Sequence, residues 1–328
     1  MHTKYIRKFA QKILIVFSLS FLLSCSSLAK NGDLVAERVI EKIPPVKQIN
    51  SSESDPSFKN KVDVKSITYM SDGLKVNGYI AIPKQENKQE KKLPCIIYNR
   101  GGNREFGAIS DQEAITGLGQ LASWGYVVIA SQYRGNGGSE GREQFGGADV
   151  NDVLNLLPVL EKISQADVSR VGMFGWSRGG MMTYLALTRT NKLSAAVVGS
   201  GIADLFDGAK QRPEMETNVY SQLIPDYEKN KEAELKARSA VFWPEKLNKN
   251  TPILLLHGSA DWRVNPAQAL NMANKLYETQ HPFRFIFFEG GDHGVGEHRK
   301  EANRQIRNWF DTYVRDKKPW PDLKPHGK

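Results

Sequence analysis

Short apolar runs alternate with helical patterns along most of this 328-residue chain. Alternation of this kind is typical of parallel strands joined by helical crossovers. The sequence therefore predicts an α/β fold, with a mostly parallel central sheet and helices on both of its faces. The apolar runs lie at 95–99, 127–131, 171–174, 195–199, 253–257 and 283–288, and the helical patterns at 112–123, 150–161, 179–188, 266–278 and 297–314.

The chain before this alternation has a different pattern. Two strands are predicted at 62–69 and 74–82, because turn-forming residues at 71–73 separate two apolar runs in the manner of a hairpin. The residues upstream are polar and rich in serine and proline, which predicts a tether. Within that tether the sequence suggests one helical turn, near Leu34 to Ile40.

The first 24 residues have the pattern of an export signal. Four basic residues and no acidic residue accompany an apolar core at 13–23. That core is shorter than the run of about 20 apolar residues that a membrane-spanning helix needs. The chain is therefore divided into a lipoprotein-type signal peptide at 1–24, a tether at 25–60, a globular domain at 61–315 and a solvated tail at 316–328.

Cys25 directly follows the apolar core. Leu-Leu-Ser-Cys at 22–25 resembles the lipobox of bacterial lipoproteins, in which the cysteine becomes the lipidated first residue. Cleavage near Ala29 is the alternative, and it would release a soluble periplasmic or secreted protein. We favour lipidation of Cys25, and hence an exported protein held on a bacterial membrane by a lipid anchor. Either outcome leaves Cys95 without a disulfide partner, and its apolar neighbours predict a buried side chain.

The net charge of +9 is partly a property of the signal segment. Without its four basic residues, 41 basic residues stand against 36 acidic ones. The basic residues are scattered along the chain, and they form no patch interleaved with aromatic residues. A nucleic-acid partner is therefore not expected.

The pattern Gly-x-Ser-x-Gly occurs twice, around Ser177 and around Ser139. Ser177 lies between an apolar run and a helical pattern, which is the context of a nucleophile elbow, a sharp turn that exposes a reactive hydroxyl. A β-carbon at either flanking glycine would collide with the neighbouring strand or helix. Ser139 lies in a long polar stretch without a strand before it. We therefore predict that Ser177 is a nucleophile and that Ser139 is a solvated turn residue.

A serine nucleophile needs a base, and the base needs a group that orients it. In α/β-hydrolases these follow in the order Ser, Asp or Glu, His, each in a loop after a strand. Asp261 and His293 follow two of the predicted strands in that order. His257 precedes Asp261 and is interpreted as a structural contact, whereas Asp292 is the rival acid but adjoins His293 in sequence.

No metal or cofactor is expected. The candidate ligands Asp292, His293 and His298 lack the helical His-Glu-x-x-His pattern of zinc hydrolases. Acyl transfer needs hydrogen-bond donors for the developing oxyanion instead. One predicted donor is the backbone N–H of Arg178, and the second belongs to Arg100 or Gly101, in the loop after an early strand.

Four segments together resemble the catalytic domain of the prolyl oligopeptidase family of serine peptidases, the S9 group. The resemblance implies an α/β-hydrolase fold, a triad of Ser177, Asp261 and His293, and a specificity pocket built partly from the segment after Gly199. The predicted elements leave no length for the N-terminal β-propeller of many members, and Arg100 occupies a position where some members have tyrosine or histidine. The four segments are Gly-Trp-Ser-Arg-Gly-Gly at 175–180, Tyr-Arg-Gly-Asn-Gly-Gly at 133–138, Leu-His-Gly-Ser-Ala-Asp-Trp-Arg-Val at 256–264 and Gly-Asp-His-Gly at 291–294.

The sequence therefore predicts a serine hydrolase that acts on a peptide or small acyl substrate through an acyl-enzyme on Ser177. The resemblance favours a peptidase. A carboxylesterase that acts on small esters is the near alternative, because the same motifs serve both reactions. A non-catalytic, surface-anchored binding lipoprotein is the alternative from another class. Nothing in the sequence fixes the oligomeric state.

Overall fold

The computed structural model describes residues 29–41, 60–84 and 92–327, and these residues form one nine-stranded sheet. The spatial order of the strands is β1-β2-β3-β5-β4-β6-β7-β8-β9. The strands from β1 to β5 in this order pair antiparallel, and those from β5 to β9 pair parallel. The strands are β1 (Leu34–Val39), β2 (Val62–Ser71), β3 (Leu74–Pro83), β4 (Leu93–Asn99), β5 (Val127–Ser131), β6 (Ala166–Trp176), β7 (Ala195–Gly199), β8 (Ile253–Gly258) and β9 (Phe283–Phe288).

The helices lie in the connections between strands and after β9. None of the helices among the described residues is long and apolar enough to cross a membrane. They are α1 (Asp111–Glu113), α2 (Gly119–Ala122), α3 (Asp149–Leu154), α4 (Leu156–Leu160), α5 (Arg178–Leu187), α6 (Leu205–Gln211), α7 (Pro213–Met215), α8 (Ser221–Leu223), α9 (Tyr227–Ala237), α10 (Pro266–Glu278) and α11 (Arg299–Phe310). Three π-helical turns, at Ala114–Leu118, Glu216–Tyr220 and Asp311–Arg315, continue α1 into α2, α7 into α8, and α11 toward the tail.

The core lies on both faces of the sheet, as the apolar runs predict. Alternate residues of a strand point to opposite faces, so the neighbours Val197 and Val198 enter different clusters, and so do Leu254 and Leu255. Side chains of α3, α4, α5 and α10 cover one face. The helical segment 111–122 and α11 cover the other. This is the predicted α/β arrangement with helices on both faces.

The predicted helical turn near Leu34 to Ile40 is wrong. That segment contains strand β1, which pairs antiparallel with β2. The backbone N–H of Ile40 also donates to the carbonyl oxygen of Val64 at 2.9 Å, and the Ile40 side chain is buried. Part of the predicted tether therefore belongs to the sheet. The signal segment and Cys25 lie outside the described residues, and residues 316–327 are exposed.

The segment between β7 and β8 contains helices that the sequence pattern did not predict. Helices α6 to α9 and two short 3₁₀ turns, Ala240–Phe242 and Pro244–Lys246, fill this connection. Tyr220, Tyr227 and Leu235 from it are buried in the same cluster as α5. The connection thus packs on the sheet face that carries α5. Its residues Met215 and Tyr220 line a cavity together with Arg178, the first residue of that helix.

A buried ion pair ties the β2–β3 hairpin to the loop after β5. The Arg134 guanidinium lies 2.8 Å from a carboxylate oxygen of Asp72 in the hairpin turn and 2.8 Å from one of Asp152 in α3. Asp152 is fully buried and also accepts a hydrogen bond from the Ser71 hydroxyl at 2.6 Å. The antiparallel strands are therefore locked to the parallel half of the molecule by charge as well as by packing.

Arg134→Ala is expected to lower the free energy of unfolding by about 3–5 kcal/mol, because it leaves the Asp152 carboxylate buried without its cation. Urea denaturation followed by circular dichroism measures this loss. Arg304→Ala is the matched control, since Arg304 pairs with Glu301 on the exposed surface of α11 and its removal should change little. Equal losses in the two variants would contradict the role given to Arg134.

Candidate active site

Ser177 stands at the junction of β6 and α5. Its backbone has φ 59° and ψ −123°, a region that residues with a side chain rarely adopt. A β-carbon on Gly175 would lie 2.0 Å from the carbonyl oxygen of Gly179, and one on Gly179 would lie 1.9 Å from that of Asn99. The turn therefore closes only because both flanking positions are glycine, which is the reason that the sequence suggested.

The second Gly-x-Ser-x-Gly motif has a different role. The Ser139 hydroxyl accepts a hydrogen bond from the backbone N–H of Asn77 in β3 at 3.0 Å, and the Asn77 amide donates to the carbonyl of Gly137 at 2.9 Å. Ser139 is half-buried rather than solvated, so the expectation of a solvated residue is wrong. The reason is that its loop packs on β3, and Ser139 fixes it there.

Asp261 and His293 are in direct contact. Nδ1 of His293 lies 2.8 Å from Oδ2 of Asp261, and Oδ1 of Asp261 accepts the backbone N–H groups of Arg263 at 2.8 Å and Val264 at 3.0 Å. Burial alone would raise the pKa of Asp261. Hydrogen bonds from His257 and His293 outweigh it and hold that pKa well below its usual value. The carboxylate is therefore ionised at neutral pH.

The same edge of the sheet carries all three predicted side chains. Ser177 follows β6, Asp261 follows β8, and His293 follows β9, three strands of the parallel part of the sheet. Ser177 and His293 line one common cavity. With Nδ1–H donated to Asp261, the Nε2 atom of His293 is left as an acceptor, which is the state that a general base requires.

Trp176 links the nucleophile turn to the histidine loop. Its indole N–H donates to the backbone carbonyl of His293 at 2.8 Å. The ring lies so close to β7 that a β-carbon on Gly199 would be 2.1 Å from it. Position 176 thus fixes the distance between the two loops, a role that the sequence pattern did not reveal.

His257 and Asp292 have structural contacts. Nε2 of the buried His257 lies 3.0 Å from the carbonyl oxygen of Val264 and 3.1 Å from Oδ2 of Asp261, so the histidine supports the acid. Asp292 uses Oδ1 to accept the N–H groups of Gly294 and Gly296 in its own turn. The described residues contain no group of three or more His, Cys, Asp or Glu side chains that could hold a metal ion.

Cys95 is buried in β4, as its apolar neighbours predicted. Burial raises the pKa of its thiol to about 12. The side chain is therefore a neutral, inaccessible thiol at neutral pH and is unsuited to nucleophilic attack.

The three residues predicted to supply oxyanion donors differ in how they are positioned around Ser177. Arg178 is the first residue of α5, so its N–H has no partner within the helix. Gly101 lies against the nucleophile, because a β-carbon on it would be 3.2 Å from the Cβ of Ser177. The buried Arg100 side chain bonds to loop carbonyls instead, including those of Gln132 at 3.1 Å and Arg104 at 3.0 Å. It shapes the loop that carries Gly101.

A buried charge cluster surrounds the Arg178 side chain. Its guanidinium forms ion pairs with Glu143 and with Asp149, the latter at 2.5 Å, and lies 4.9 Å from the ring centres of both Tyr133 and Phe145. Arg178 is 1% exposed. The sequence assigned a role only to the backbone of Arg178. The one available signal for its side chain was a pair of acids, Glu143 and Asp149, on either side of two glycines at 146–147.

Two cavities meet at Ser177 among the described residues. The first measures about 300 Å³ and is lined by Ser177, Arg178 and mainly apolar side chains. The second measures about 480 Å³ and is lined by Ser177, His293 and residues of the segment 111–122 and α11. The apolar lining of the first cavity includes Phe145, Ile202, Met215, Tyr220 and Val264.

Known proteins with similar sequences are peptidases by name. The chain is 28% identical over 258 residues to the uncharacterized peptidase YtmA of Bacillus subtilis (strain 168), a match that covers 78% of this chain and 96% of that protein. It is 26% identical over 257 residues to dipeptidyl-peptidase 5 of Porphyromonas gingivalis, covering 75% of this chain and 37% of that protein. The chain thus spans nearly all of the first relative and little more than a third of the second.

A solved structure shares the fold. The acylaminoacyl peptidase of Pyrococcus horikoshii superposes with a TM-score of 0.67 at 22% identity, over 80% of this chain and 43% of that one. The family model of the prolyl oligopeptidase family matches residues 116–317, a stretch that includes Ser177, Asp261 and His293. On this match the chain belongs to the prolyl oligopeptidase family.

Proposed function

We propose that the protein is a serine peptidase that cleaves peptide bonds through an acyl-enzyme on Ser177. The observation that carries the proposal is the contact between His293 Nδ1 and Asp261 Oδ2 at 2.8 Å, at the sheet edge where Ser177 stands on a strained turn. Membership of a family of peptidases supports the choice of peptide bonds over esters.

The chemistry follows from the positions of these groups. The Ser177 hydroxyl attacks the carbonyl carbon while His293 accepts its proton, and Asp261 stabilises the imidazolium that forms. The N–H groups of Arg178 and Gly101 are the proposed hydrogen-bond donors to the oxyanion. His293 then gives the proton to the departing amine as the C–N bond breaks. Water repeats the attack on the ester and releases the acid product from Ser177.

The first cavity is suited to the side chain on the acyl side of the bond. It contacts Ser177 and Arg178, and its wall is formed partly by the segment after β7, as the family resemblance implies. Its lining is mainly apolar, with three arginines. Arg178 is paired with Glu143 and Asp149, and Arg212 is paired with Glu214. The exposed Arg263 stacks on Phe106 and Trp262. An apolar residue such as phenylalanine before the cleaved bond fits this environment.

Ser177→Ala is expected to abolish covalent labelling by a fluorophosphonate probe, because the probe reacts with an activated serine hydroxyl. Gel fluorescence or intact mass measures the label. Ser139→Ala is the matched control and should label as the parent protein does. A folded parent protein that takes no label would refute the enzyme and favour a binding protein. Labelling together with ester cleavage, but no amide cleavage, would replace the peptidase with a carboxylesterase.

Asp261→Asn is expected to lower kcat by about 10,000-fold, because an amide neither fixes the reactive tautomer of His293 nor stabilises its charge. Peptide hydrolysis measured at neutral pH tests this, with circular dichroism to confirm the fold. The matched control is Asp292→Asn, which alters the acid next to His293 in sequence and should cost far less. Similar losses in both variants would disprove the assignment of Asp261.

We further propose that the protein is exported and anchored to a bacterial membrane through lipidated Cys25. The support is the sequence alone: a basic segment, an apolar core and a cysteine directly after it. The proposed substrate is therefore a peptide outside the cytoplasm.

Cys25→Ser is expected to release the protein from the membrane fraction, because the lipid is attached to the sulfur atom of Cys25. Fractionation of cells that express the full chain, followed by immunoblotting, measures the distribution. Cys95→Ser is the matched control and should leave it unchanged. Membrane retention of the Cys25→Ser protein would exclude the lipid anchor.

A further inference from the structure

The second cavity, of about 480 Å³, lies on the His293 side of the nucleophile. His293 and Ser177 both line it, whereas the first cavity contacts Ser177 without His293. The histidine must give its proton to the departing group, so that group has to lie within its reach. The second cavity therefore adjoins the leaving-group side of the cleaved bond.

Apolar side chains form most of this cavity. Tyr98, Phe174 and Trp176 line it from the strand ends, with ring centres 5.4 Å apart for the first pair and 6.1 Å for the second. Leu118 and Ile306 line it from the two helical walls. A volume of this size is within the range of pockets that hold small organic ligands, and it is large enough for an aromatic side chain.

Several polar groups on the wall already have partners. The Glu113 carboxylate accepts the N–H and hydroxyl of Ser110 at 2.8 Å each, in a helix-capping arrangement. The Thr116 hydroxyl donates to the carbonyl of Gln112 at 2.9 Å. The Arg100 guanidinium is held by backbone carbonyls. These three groups require no polar ligand.

Arg263 and Arg299 also line the cavity, but both are exposed. The Arg263 guanidinium stacks on Phe106 and Trp262, and that of Arg299 reaches the carbonyl of Gly294 at 3.5 Å. The apolar, less exposed part of the wall is therefore the part that selects a side chain.

One wall of the cavity carries an exposed glycine beside open space. Gly117 lies in the π-helical turn Ala114–Leu118 and lines the cavity. A β-carbon added there would meet no atom within 4 Å. Since π-helical turns are frequent at functional sites, and glycine is otherwise unfavourable in a helix, a binding role accounts for both features.

We propose that this cavity is a binding site for the residue directly after the cleaved bond, and that it selects a bulky apolar side chain such as leucine or phenylalanine. The proposal rests on the serine peptidase function given above. It places substrate selection on both sides of Ser177, with the first cavity holding the acyl side and the second the departing amine.

Peptides that share one N-blocked acyl part ending in phenylalanine, followed by glycine, leucine or phenylalanine amide, test the proposal. For the parent protein we expect kcat/KM to be about tenfold or more higher with leucine or phenylalanine than with glycine in the leaving position. In Gly117→Leu the new side chain is expected to occupy part of the cavity, and the ratio should fall toward one. A parent protein that cleaves all three peptides equally, or an unchanged ratio in Gly117→Leu, would overturn the proposal.

Gly208→Ala is the matched control. Gly208 lines the first cavity, where a β-carbon would lie 2.9 Å from the Tyr220 hydroxyl. This variant should alter the preference for the acyl residue and keep the leaving-group ratio. Fluorophosphonate labelling and hydrolysis of the methyl ester of the same acyl part distinguish a failure of the leaving-group site from a failure of the peptidase function. If the parent protein takes no label and cleaves neither ester nor amide, the peptidase function itself fails.

Discussion

The close approach of helix α5 to the end of strand β4 is the constraint on which the site depends. The backbone at Gly179 passes so near Asn99 that any β-carbon there would overlap a carbonyl oxygen. This contact lets the chain reverse within one residue after β6 and pushes Ser177 into a strained conformation. The strain is held by backbone hydrogen bonds, since the N–H of Ser177 donates to Gly199 and its carbonyl accepts from Ile202.

The charge of the Arg178 side chain, next to the nucleophile, is compensated by two buried carboxylates. The Arg178 side chain lies at the start of α5, where the helix dipole already favours negative charge nearby, and Glu143 and Asp149 supply it. Arg100 also stacks on Tyr133, with its guanidinium 5.1 Å from the ring centre. The Arg178 guanidinium is therefore engaged by carboxylates, and the proposed oxyanion donors are the backbone N–H groups of Arg178 and Gly101.

Much of the parallel half of the fold could be predicted from the sequence. Strands β5, β7 and β9 have the predicted bounds, and so does α10. An uninterrupted apolar run, as in the fully buried β5 and β7, and a capped helix both leave a strong local pattern. Strand β1 was missed because it is an edge strand whose Val35 and Val39 are exposed. Helices α6 to α9 were missed because they are short and interrupted, with a left-handed residue at Asp226 and a kink at Asn230.

The candidate site also contains residues that could be predicted from the sequence and contacts that could not. Ser177, Asp261 and His293 could be predicted because each follows a recognisable strand. The ion pairs of Arg178 could not, because Glu143 lies 35 residues away and Asp149 29 residues away along the chain. The hydrogen bond from Trp176 to the carbonyl of His293 could not be predicted either. Its two residues are 117 positions apart, and its acceptor is a backbone atom, which every residue type has.

The pairing of β1 with β2 changes how far the protein can extend from an anchor. Residues 42–59 connect two neighbouring strands at one edge of the sheet, so they add nothing to the spacing between anchor and sheet. The N–H of Gly32 already donates to the carbonyl of Met70 in β2 at 2.8 Å. In the proposed lipidated form only the stretch from Cys25 to Gly32 remains, which spans at most about 25 Å when fully extended. Such a protein works within about one domain diameter of the lipid surface, and the peptides it meets are those that come close to that surface.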